Sequence, residues 1–86
     1  MSLSLTFSAL ADKNRRKIIN LLKRKELTVG EIKNKLSITG ATLSHHLDIL
    51  KRAGLVSSRR SGQQIIYSLN LSTLEEVLEK IIDILN

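Results

Sequence analysis

The 86-residue chain has no cysteine, proline or tryptophan, one phenylalanine and one tyrosine. Without cysteine it can form neither disulfides nor thiolate metal sites. With Phe7 and Tyr67 as the only aromatics, the core must be mostly leucine and isoleucine, and an aromatic-rich ligand pocket is excluded. No apolar run approaches the roughly 20 residues of a membrane span. Ala9-Leu10-Ala11 imitates a signal-peptidase site, but no positive charge precedes it, and Ser2, Ser4, Thr6 and Ser8 break the apolar run. The expectation is a cytoplasmic protein without membrane insertion.

The length predicts one domain spanning residues 1–86. A chain this short buries little more than roughly 60% of its unfolded surface. Oligomerisation is then the natural source of further burial. Charge is unevenly placed: residues 1–62 hold thirteen of the fourteen Lys and Arg against four acids, whereas residues 63–86 hold one Lys against four acids. A concentrated basic region suits a polyanion, nucleic acid or an anionic membrane surface; a merely solvated basic face is the plainer reading.

Leu3, Phe7, Leu10 and Ala11 recur at helical spacing and predict a first helix. Asp12 can cap a second, Arg15 to Lys25, with Ile18, Ile19 and Leu22 on one side. Thr28 and Glu31 form a capping-box pattern that starts a third helix, which ends at Ser37-Ile38-Thr39-Gly40. A fourth helix is expected from about Ala41 to Ala53, with Gly54 suited to a left-handed C-terminal position. Two helices joined by a short turn containing Gly are a helix-turn-helix pattern, moderately specific by spacing alone. Leu55 to Arg59 and Gln63 to Leu69 read as strands about a turn Arg60-Ser61-Gly62, which adds a two-stranded wing. In the second strand Ile65, Tyr67 and Leu69 share one face and Gln64 and Ser68 the other. Ser72 with Glu75 resembles a second capping box, opening a last helix. The expected fold is mainly α with a small β-hairpin, a winged helix-turn-helix of about five helices.

Leu74, Val77, Leu78, Ile81, Ile82 and Leu85 make a stripe on the last helix wider than one small domain needs. With Leu3 and Phe7 of the first helix, they are the candidate homodimer interface; burial within the monomer is the alternative. On a helical wheel of the fourth helix, Leu43, Leu47 and Leu50 define the buried side. Ala41, His45, Asp48 and Arg52 lie opposite, with Thr42, Ser44 and Lys51 on the flanks. Such a small, polar, basic face suits the major groove. Ala41, Thr42, Ser44 and His45, nearest the helix start, are the candidate base contacts, and Lys51 and Arg52 the candidate phosphate contacts. Arg59 and Arg60 would reach the minor groove or its phosphates from the wing, aided by Gln63 or Gln64; a solvated turn that blunts a sheet edge is the alternative. The adjacent His45 and His46 diverge by about 100° on a helix, so they do not form a metal pair. His46 is expected half-buried and bonded to backbone or a neighbouring helix. No nucleophile–histidine pattern or Gly-rich phosphate loop is present, so neither an enzyme nor a cofactor is expected.

Three runs carry a family likeness: Ala9-Leu-Ala-Asp-Lys-Asn-Arg-Arg-Lys-Ile, Leu43-Ser-His-His-Leu-Asp-Ile-Leu-Lys-Arg-Ala-Gly-Leu-Val and Arg60-Ser-Gly-Gln-Gln-Ile-Ile-Tyr-Ser-Leu. Along nearly its whole length the chain resembles the ArsR/SmtB winged-helix repressors, and most of all their cysteine-free autorepressor branch. The resemblance implies a dimer formed by the first and last helices, repression at an inverted-repeat operator, and DNA contact by the fourth helix and the wing. Lys13 stands where the family usually has Pro. Thr28, Val29 and Gly30 stand where its metal sensors carry Cys-Val-Cys, and Leu74 to Leu85 has no His for the other common metal site. The resemblance therefore points to regulation by a protein partner rather than an ion. A protein-interaction module with a degenerate winged helix is the second reading, and steep salt dependence of DNA binding would discriminate against it.

Overall fold

The computed structural model describes residues 2–86. Four of its five helices begin where a short polar side chain caps the free backbone N–H groups. Ser2 Oγ accepts from Leu5 N–H at 3.3 Å and opens α1 (Leu3–Leu10). Asp12 Oδ1 accepts from Arg15 N–H at 3.0 Å and opens α2 (Lys13–Leu22). After β1 (Leu27–Thr28) the capping box closes in both directions: Thr28 N–H donates to Glu31 Oε1 at 2.9 Å and Glu31 N–H to Thr28 Oγ1 at 3.1 Å. It opens α3 (Val29–Lys35). Thr39 Oγ1 accepts from Thr42 N–H at 3.1 Å and starts α4 (Gly40–Arg52).

Helix α4 ends in a Schellman motif: Leu55 N–H reaches Leu50 O and Gly54 N–H reaches Lys51 O, each at 3.0 Å, with Gly54 at φ 76°. The chain then forms β2 (Val56–Ser61), β3 (Gln64–Leu69) and α5 (Leu71–Leu85). The core is the aliphatic set the periodicity predicts: Ile18, Ile19 and Leu22 of α2, Ile32 of α3, Leu43, Leu47 and Leu50 of α4, with Leu27, Leu55 and Val56 from the sheet side.

Five local expectations are corrected. The sheet has three antiparallel strands in the order β1-β3-β2, because Leu27 and Thr28 pair with Tyr67 and Ile66. Two residues are too few for a period-2 signal, so β1 was invisible to pattern. Helix α2 starts at Lys13, directly after its cap, and ends before Lys23-Arg24-Lys25. Helix α4 includes Gly40, since the Thr39 cap sets its start. Strand β2 continues through Arg60 and Ser61, so the turn is Gly62-Gln63, with φ 62° at Gly62 as in a type II′ turn. Finally, the Ser72–Glu75 box does not form. Helix α5 starts one residue earlier, at Leu71, with Asn70 as N-cap and no side-chain cap bond. Asn70 is engaged elsewhere: its Oδ1 accepts from Ser57 Oγ at 2.7 Å and its Nδ2 donates to Gly54 O at 2.8 Å. That clasp ties the end of the wing to the end of α4.

Among the described residues no helix is long and apolar enough to cross a membrane.

Candidate nucleic-acid interface

The recognition surface follows from how α4 is seated. Leu43, His46, Leu47 and Leu50 are buried, which turns Ala41, Thr42, Ser44, His45, Asp48, Lys51 and Arg52 outward, as the wheel predicts. The helix start is orderly at side-chain level too, for the Thr39 hydroxyl donates to Thr42 Oγ1 at 2.9 Å and leaves the Thr42 hydroxyl proton free to donate outward. Toward the C-terminal end, Lys51 Nζ donates to Ser58 Oγ of β2 at 2.8 Å and joins the helix to the wing. Arg52 pairs with Asp48 at 2.8 Å one turn back, with both side chains more than half exposed. Exposed pairs of this kind contribute at most about 1 kcal/mol, so a phosphate can displace Asp48.

A cleft of about 550 Å³ runs between α4 and the wing. It brings together Ser44, Asp48 and Lys51 of the helix with Gln63, Gln64 and Ile65 of the hairpin, and Thr28 to Gly30 also line it. Of the candidate contacts, Ala41, Thr42, His45, Arg52, Arg59 and Arg60 are outside it.

The two wing arginines part company. Strand alternation puts Arg60 on the face of Ser58, the partner of Lys51, and Arg59 on the opposite face. There Arg59 makes a two-pronged ion pair with Glu26, both N···O distances 2.6 Å. The contact holds the Glu26 carboxyl below its ordinary range and raises Arg59, through hydrogen bonding first and charge second. Nothing in the sequence links positions 26 and 59; only the β1-β3-β2 strand order brings them together.

His46 is more deeply placed than expected, 6% exposed, and it meets a neighbouring helix as expected, with the Arg15 guanidinium of α2 at 3.1 Å from Nδ1. His45 stays exposed, its ring centroid 6.1 Å from that of His46. Among the described residues no three His, Asp or Glu side chains converge as metal ligands would.

Away from the cleft, the apolar stripe of α5 divides. Val77 is buried in the chain's own interior and Leu74 packs against the core, a correction to their place in a partner-facing set. Leu78, Ile82 and Leu85 are exposed, Ile81 and Leu3 are half-buried, and Phe7 is exposed on α1. Leu5 and Ile84, which the sequence pattern did not single out, are also exposed, and so is Leu71, expected as a staple residue before the last helix.

Residues 12–58, from the cap of α2 into β2, match the family described as bacterial regulatory protein, arsR family. The chain is 41% identical over 80 residues to the transcriptional repressor SdpR of Bacillus subtilis, covering 93% of this chain and 89% of that one. The chain belongs to the ArsR family. The transcriptional activator HlyU of Vibrio cholerae is 35% identical over 71 residues, which are 83% of this chain and 66% of that protein. The solved structure of HlyU superposes with a TM-score of 0.76 at 32% identity, over 91% of this chain and 88% of that chain. An ArsR-like regulator from a Rhodococcus species superposes with a TM-score of 0.88 at 27% identity, over 95% and 77% of the two chains. The protein is thus a DNA-binding transcriptional regulator with a winged helix-turn-helix, and not an enzyme.

Proposed function

We propose that this ArsR-family regulator is a homodimeric repressor that binds an inverted-repeat operator with α4 in the major groove and the wing alongside. The observation that carries it is the continuity of the polar outer face of α4 with the wing, through the Lys51–Ser58 bond and the cleft beside it. Ala41, Thr42, Ser44 and His45 read bases; Lys51, Arg52, Arg60, Gln63 and Gln64 hold the backbone. Arg59, bound to Glu26, steadies the wing instead. Residues 1–86 act as one domain, with the exposed apolar side chains of α1 and α5 covered by a second copy. SdpR is named a repressor and HlyU an activator, so repression rests on the higher identity to SdpR. The site is cytoplasmic DNA, and release is by a protein partner, since Thr28, Val29 and Gly30 offer no thiolate.

Selection of bound duplexes from a random pool, with sedimentation of the complex, tests the reading. Two half-sites in inverted repeat, about one helical turn or more apart, are expected with two chains bound. Recovery of unrelated sequences, or one chain per duplex, would overturn it.

A further inference from the structure

One guanidinium joins three elements. Arg15 Nε donates to Ala9 O at 2.7 Å and Nη2 to Ser8 O at 3.1 Å, two carbonyls in the last turn of α1. The last carbonyls of a helix lack the full set of partners; Ser8 O also accepts from Ala11 N–H at 3.2 Å, so Arg15 adds a second donor there. The remaining arm, Nη1, lies 3.1 Å from Nδ1 of His46, buried in the middle of α4. A guanidinium only donates, so Nδ1 must carry a lone pair and the ring proton sits on Nε2. Nε2 in turn faces Asp12 Oδ1 at 3.8 Å.

We propose that Arg15 and His46 are positioning residues that seat the recognition helix on α1, and that DNA affinity responds to protonation of His46 through their contact. The proposal rests on the DNA-binding reading above. A proton on Nδ1 removes the acceptor and aims an N–H at a cation 3.1 Å away. Asp12 offsets this only in part, because 3.8 Å is too long for a hydrogen bond and Oδ1 already accepts from Arg15 N–H. Few other charges bear on the ring. Helix α1 has no titratable side chain, Arg16 of α2 is turned to Leu10 O, and β2 meets α4 at its far end, at Lys51 and Ser58. On α4 itself the neighbour is exposed His45. Either Arg15 or His46 must therefore move when the ring is charged, and α4 loosens against α1. Histidine is the side chain whose charge changes near physiological pH.

The test compares affinity for the selected duplex across about pH 8 to 5.5 in the native chain and in His46→Asn, with melting and sedimentation as controls. The Asn carbonyl can accept from Arg15 and does not titrate. Near-native affinity is expected for His46→Asn at the upper end, and about tenfold weaker binding of the native chain than of the variant at the lower end. His45 is present in both chains, so any difference belongs to position 46. Superimposable profiles would overturn the proposal. Should His46→Asn melt far below the native chain, Arg15→Gln serves instead: it must abolish the acid response, and an unaltered response would overturn the proposal. A further readout needs no DNA. The 15N spectrum of His46 near neutral pH must show the Nε2–H tautomer, and the Nδ1–H tautomer would sink the contact itself. Failure to bind any duplex at any pH would remove the DNA-binding reading, and the response with it.

Discussion

Arg59 and Arg60 are adjacent, equally basic and equal candidates by sequence, yet their surroundings separate them. Arg59 is fastened to Glu26 across the outer face of the sheet, whereas Arg60 shares the face of Ser58 and has no carboxylate within 4.0 Å among the described residues. Replacing Arg60 by Ala should weaken binding to every duplex and lower the slope of log affinity against log salt by about 0.9, the value for one lost phosphate contact. Arg59→Ala should leave the slope within error, and titrations at several salt concentrations decide; equal losses in both would mean that the Glu26 pair opens on DNA. Ser44 and His45 belong to a different class, because their exposed positions near the start of α4 suit base edges. Ser44→Ala or His45→Ala should change the preferred sequence more than the overall affinity, which selection from a random pool would read directly. The wheel made that outward face legible from sequence, since it needs only the 3.6-residue period. The Arg59–Glu26 and Arg15–His46 contacts were not legible, because each joins residues more than thirty positions apart through tertiary geometry.

At the scale of elements, caps governed what could be read. Where a side chain had no competing partner, as with Asp12 and with Thr28 and Glu31, the sequence pattern became the structure. Ser72 and Glu75 offered the same pattern, but the Asn70 clasp and the Asn70 N–H to Leu55 O bond bring β3 directly into α5 and place Ser72 inside the helix. The two carboxylate-assisted caps also set an acid limit. Backbone hydrogen bonds, from Arg15 to Asp12 and from Thr28 to Glu31, hold both carboxyls below their ordinary values of 3.8 and 4.5. A depressed folded-state pKa means stability that is present above the unfolded value and lost as pH falls through the folded one. Melting temperature should therefore decline below about pH 4.5, and Asp12→Asn with Glu31→Gln, which keep capping atoms without the charge, should flatten that decline; parallel curves would count against the assignment. At the other end of α4, Gly54 has φ 76° while a Cβ would meet Thr73 Oγ1 at an ordinary 3.7 Å. Backbone strain, not crowding, then sets the cost of Gly54→Ala, about 1–2 kcal/mol by denaturant unfolding.

For the whole molecule the question is what covers the apolar side chains of the terminal helices. An 86-residue chain packed as tightly as an average domain has a radius of gyration of about 12 Å, and this one has 13.3 Å with a long dimension of 46 Å. Helix α5 accounts for the looseness in part, for among its fifteen residues only Val77 is buried. Ile84 and Leu85 are 72% and 78% exposed, and Leu5 and Phe7 of α1 are about half exposed. Joined into one patch, such exposed apolar groups would suit association. If a second copy covers them, folding and dimerisation are linked, and the melting temperature rises with protein concentration. Ile82→Glu tests the same point from one position. Ile82 is exposed and outside the core cluster, so a charge there costs the isolated chain little, but at an interface it buries an unpaired carboxylate. The variant should sediment as a monomer, lose the concentration dependence of melting and bind the inverted repeat far more weakly, while a single half-site keeps its sequence preference. A dimer that survives Ile82→Glu with unchanged melting would place the partner surface elsewhere.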